Sequence, residues 1–111
     1  MAGIIRPLSD EVAAIGYARL MHGYSLASAA DLVARCTNGR VTISHQWLRL
    51  GLSGQHSLAD RHIEPLLRIM GLMDPDLRRF YVMAARAVDA AHEAALLTYC
   101  GAGRNNGEAA E

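Results

Sequence analysis

The chain's 111 residues suffice for one domain that buries a core without disulfides or metal. Hydrophobic residues make up 51% and aromatics only 5%, with alanine dominating, a composition of close-packed helices rather than of a sheet. The 11 basic and 11 acidic side chains cancel, which excludes a global electrostatic pull toward nucleic acid or an anionic membrane, and no apolar run approaches the ~20 residues that span a bilayer.

The opening "MAGIIRPLSDEV" lacks a basic stretch followed by a long apolar one, so a cytoplasmic protein is expected. Cys36 and Cys100 have no CxxC spacing and read as two reduced thiols. Charge is distributed unevenly. Between Ser25 and Ala59, Asp31 stands against Arg35, Arg40 and Arg49; from Asp89 onward, Asp89, Glu93, Glu108 and Glu111 stand against Arg104. Every basic residue is arginine, which offers a planar bidentate fork where lysine offers a point charge.

The first predicted helix runs from about Ser9 to His22, with Ser9 as N-cap and Asp10 and Glu11 in the first turn, where the macrodipole favours negative charge. Ala13, Tyr17, Leu20 and Tyr24 recur as one buried face, and Gly23 ends the helix. A second helix starts after the N-cap Ser25, buries Leu26, Ala29, Ala30 and Val33, and stops at Asn38-Gly39, residues that tolerate positive φ. A short third helix is expected from Thr42 or Ile43 to Leu50, closed by Gly51.

Ser57 is the expected cap of a fourth segment, which Pro65 should divide into two short pieces. The fifth carries the clearest start signal, Asp74 as N-cap, Pro75 at the first helical position and Asp76 in the first turn. It should end at Gly101, giving a helical domain over residues 1–100 and a flexible tail over 101–111. The fold class is therefore all-α: about five helices in a compact bundle with a long C-terminal helix, "RVTIS" being the only short strand candidate.

Within this scheme Ala29-Ala30 allow close helix crossing, Asn38-Gly39 marks a turn, and Ile43, Trp47 and Leu50 form the expected buried face of the third helix. On ideal geometry Thr42, His45, Gln46 and Arg49 then share the opposite arc, which holds no acidic residue. Ser25 to Leu50 resembles the helix-turn-helix motif, in which a first helix braces a second that lies in the DNA major groove. The resemblance implies a DNA-binding site of Arg40, Thr42, Ser44, His45, Gln46 and Arg49, with Arg40 as a phosphate clamp. Glutamine suits adenine, arginine suits guanine or phosphate, and serine or threonine suits either.

Leu77, Tyr81, Ala84, Val88, Ala91, Ala95 and Thr98 alternate at spacings of four and three, a seam for the domain's own core or for a homodimer. His22, His45, His56, His62 and His92 with the two cysteines show no HExxH, CxxC or HxxxH spacing, so neither a metal nor another cofactor is expected. Arg78-Arg79 and Arg86 are expected mainly to pair with nearby acids. No nucleophile or glycine-rich loop accompanies the His-carboxylate pairs, and an enzyme is not expected.

Two functions remain in view. One is a dimeric DNA-binding transcriptional regulator of bacterial or phage type, binding double-stranded DNA without a membrane. The other is a small helical interaction module, an adaptor, inhibitor or anti-activator of a protein partner. The second predicts an uncovered apolar patch near Met70 to Met73 or along the last helix.

Overall fold

The computed structural model describes the backbone of residues 8–110 and side chains through residue 98. Five α-helices follow in order, α1 (Asp10–His22), α2 (Leu26–Cys36), α3 (His45–Leu52), α4 (Asp60–Ile69) and α5 (Pro75–Ala110), with no strand among the described residues. The all-α class with about five helices is thus observed.

Serine capping sets three of the starts. Ser9, Ser25 and Ser44 each accept from the backbone N–H three residues on, satisfying a donor that the helix itself cannot. At α5 the Asp74 carboxylate accepts from the Asp76 N–H at 3.1 Å, with Pro75 as the first helical residue. Left-handed residues set the ends: Gly23, Asn38, Gly54 and Gly71 all have positive φ. After each of them the next N–H reaches back five residues, as from Gly39 to the Ala34 carbonyl at 2.7 Å and from Leu72 to that of Leu67 at 2.8 Å.

Helix α1 is central, packing on α3 and α4 to one side and α5 to the other, while α2 packs on α3 and α4. Ile15, Val33, Leu48, Leu66 and Leu72 are the largest fully buried side chains, joined by Ala14, Ala18 and Ala29 where backbones approach closely. Because α1 is covered from more than one side, its buried residues are Val12, Ala13, Ala14, Ile15 and Ala18 rather than one narrow stripe. Leu20, expected on that stripe, is 67% exposed.

Three boundaries differ from expectation. Helix α3 begins at His45, not at Thr42 or Ile43, because Ser44 is its N-cap and "RVTIS" stays outside it: Val41 and Ile43 are half-buried against the core while Arg40, Thr42 and Ser44 face solvent. Helix α4 is a single helix through Pro65, and its N-cap is Ala59, which makes no side-chain cap bond; Ser57 lies outside it. The proline deprives only the carbonyl of Arg61, a solvent-exposed residue in the first turn, and its own ring is buried among apolar neighbours. Helix α5 passes Gly101, its expected end, and is continuous to Ala110, with no proline to interrupt it although each interior glycine costs about 1 kcal/mol.

Gly51 does not close α3. It lies buried inside the helix, and a Cβ there would collide with Leu58 Cδ2 and Cγ, so it is a packing glycine. The stop comes at Gly54, with φ of 82° and Gln55 N–H bonded to the Leu50 carbonyl at 2.9 Å.

Candidate nucleic-acid interface

The connection from α2 to α3 covers residues 37–44, longer than the three- to four-residue turn usual in the motif. It is nonetheless tied down. Thr37 Oγ1 lies 2.8 Å from the Val33 carbonyl and accepts from the Val41 N–H at 3.0 Å, holding the stretch against the end of α2. Asn38 and Gly39 supply consecutive positive φ values of 54° and 79°, so the chain reverses at little steric cost.

His62 fixes the other side of this stretch. It is 5% exposed, and its Nε2 donates to the Thr42 carbonyl at 3.2 Å, while Nδ1 is buried without a partner. A carbonyl only accepts, so Nε2 carries a proton. Burial first, then the neighbouring Arg61 charge, pushes the His62 pKa below its ordinary value; the bond to Thr42 opposes this and His56 reinforces it.

Helix α3 is too short to hold itself and is positioned by contacts. Leu48 at 0% exposure and Gly51 form its buried side. The expected buried face of Ile43, Trp47 and Leu50 is corrected accordingly. Trp47 is 45% exposed, Leu50 is half-buried, and Ile43 precedes the helix. Ile43 falls outside the helix, and the Trp47 ring is held at the rim by stacking on His56 at 3.4 Å, with His56 Nε2 also 3.0 Å from the Trp47 carbonyl.

The six residues singled out from the sequence are all solvent-exposed. His45, Gln46 and Arg49 share the outer side of α3. Ser44 is committed as its N-cap, bonded to the Trp47 N–H at 3.1 Å. Arg40 and Thr42 stand on the approach and not on the helical arc, so the four-residue arc including Thr42 does not form as such.

Charge pairing distinguishes this region. Arg35, Arg68, Arg79 and Arg86 pair with Asp31, Glu64, Asp76 and Asp10. Arg19 donates to the Tyr24 carbonyl, and Arg78 to those of Leu72 and Met73. Among the described residues, Arg40, Arg49 and Arg61 are left without such a partner, and all three belong to α3, its approach or the first turn of α4. Arg40 and Arg49 stand in a stretch with no carboxylate between Asp31 and Asp60; Arg61 lies outside it, next to Asp60.

Elsewhere, a cleft of about 500 Å³ is lined by residues including Glu11, His56, Asp60, Glu64 and Arg78. Its carboxylates give it the opposite character to α3. No group of three or more metal-ligating side chains occurs among the described residues, and no helix there is long and apolar enough to cross a membrane. No family model, curated protein or solved structure matches the chain.

Proposed function

We propose that the protein is a DNA-binding regulator that contacts double-stranded DNA through α3 and its approach and acts by occupying its site rather than by catalysis. The observation that carries this reading is a pair of exposed arginines without a side-chain partner, Arg40 and Arg49, on α3 and the segment leading into it, beside His45 and Gln46 and with no carboxylate from residue 32 to 59. A merely solvated helix face normally intersperses carboxylates with its cations. Here Gln46 and Arg49 are the candidates for base edges, Arg40 for a phosphate, and Thr42 for either. Ser44 contributes by setting where the helix starts. Self-association through α5 would suit such a role, since two sites joined in one particle bind more tightly than either alone.

Fluorescence-anisotropy titration against a genomic fragment library tests the reading. Binding should weaken steeply with salt, with a logarithmic slope reduced by about 0.9 for each phosphate-contacting arginine removed. Gln46→Ala with Arg49→Ala should abolish preference among sequences. Absence of binding at low salt, or binding indifferent to that pair, would sink it.

The alternative, an interaction module for another protein, is favoured by one observation. Phe80, Met83 and Leu97 on α5 are large, apolar and exposed. Of the expected Met70 to Met73 patch, only Met73 is exposed; Met70 and Leu72 are core. Retention of a stoichiometric partner protein without DNA would favour this reading.

A further inference from the structure

We infer that the outward face of α5 is a homodimer interface in which two copies of the helix pair antiparallel, centred between Ala87 and Ala90. The inference stands on α5 alone and does not depend on DNA binding. Tyr81, Val82 and Ala85 mark the side of α5 turned toward the domain; Ala85 is buried, and the Tyr81 ring meets Tyr17 of α1 edge-on at 5.8 Å. On the opposite side Phe80, Met83, Ala87, Ala90, Ala94 and Leu97 recur at alternating spacings of three and four, and every one is exposed. That is an uninterrupted a/d repeat without a charge, extending about 26 Å along the helix. Phe80, Met83 and Leu97 are 62%, 65% and 71% exposed, a cost in water that a second apolar surface removes.

Side-chain size and charge choose the occupant and its direction. The stripe is bulky at both ends and small in the middle, so a reversed copy sets Phe80 against Leu97, Met83 against Ala94 and Ala87 against Ala90, while the alanines permit a close helix approach. Flanking the stripe on one side are Arg79, Arg86 and Glu93. In antiparallel pairs these flanking positions face their own kind across the seam, and the register above places Arg86 opposite Glu93 of the second copy, twice by symmetry. A parallel pair would instead set them against Ala84, Ala91 and Thr98, with no charge partner. The two bonds Arg86 makes within the chain, to the Leu8 carbonyl and the Asp10 carboxylate, both use Nη2, leaving Nε and Nη1 for Glu93.

Sedimentation velocity on the full chain should show a dimer at micromolar concentration. Met83→Glu with Ala90→Glu should yield a monomer of unchanged helical circular dichroism, since both positions are exposed. Glu93→Arg should weaken dimerisation roughly tenfold through loss of two surface pairs, and adding Arg86→Glu should restore it. For direction, Met83→Cys and Ala94→Cys are made separately in a Cys36→Ser, Cys100→Ser background and oxidised alone and mixed. Crosslinking in the mixture only is expected. A monomeric native chain, self-crosslinking of either variant alone, or a dimer untouched by the double glutamate substitution overturns the inference.

Discussion

Helices α3 and α5 present opposite surfaces for opposite reasons. Eight residues of α3 are oriented by tertiary contacts, chiefly Leu48 and Gly51 below and the Thr37 and His62 bonds beside its approach, and what they leave outside is polar and cationic. Helix α5 runs 36 residues, is seated on α1 near its beginning, and leaves an apolar stripe outside. Its outer pattern follows from helical periodicity, which alanine-rich sequence sustains without neighbours. A disturbance of the core should therefore scatter the α3 surface and leave the α5 stripe intact.

Leu48→Ala should separate the two helices most. It deletes the one fully buried side chain of α3 and should cost about 2–5 kcal/mol in denaturant unfolding. Protection of α3 amides from hydrogen exchange should fall far more than that of α5. Gly51→Ala forces a methyl into Leu58 and should cost about 1–3 kcal/mol; a stabilised variant would show that α3 is not pinned there.

Lowering the pH should act on the same anchor. The folded-state pKa of His62 is depressed, so below the ordinary value of 6.5 the unfolded chain takes up a proton that the folded chain refuses. The His62 contribution is complete above 6.5 and is lost as pH falls from there toward the depressed folded value, with a slope of at most about 1.4 kcal/mol per pH unit. Urea midpoints from pH 7.5 to 5 should show this slope in the native chain and lack it in His62→Gln. The smallest effect belongs to Arg49→Ala. Its side chain is exposed and unpaired, so stability should stay within about 0.5 kcal/mol while DNA affinity falls.

The helical class and the features that depend on adjacent residues were legible in the chain: caps at Ser9, Ser25 and Asp74, the stops at Gly23 and Asn38, and exposure of Arg40, Ser44, His45, Gln46 and Arg49. Long-range packing set the rest. Trp47, Leu48, Leu50 and Leu52 place apolar groups almost all round α3, so periodicity gave no unique inner face until Leu48 met the core and Trp47 met His56. Gly51 and Gly54 look alike in sequence, yet one receives Leu58 and the other turns the chain. The segment leading into α3 is held by a His62–Thr42 bond between residues 20 apart. On α5 the spacing of Leu77 to Thr98 was legible, but that the domain lies against Tyr81, Val82 and Ala85 and leaves Phe80, Met83 and Leu97 exposed depended on where α1 lies, a long-range fact that no local pattern encodes.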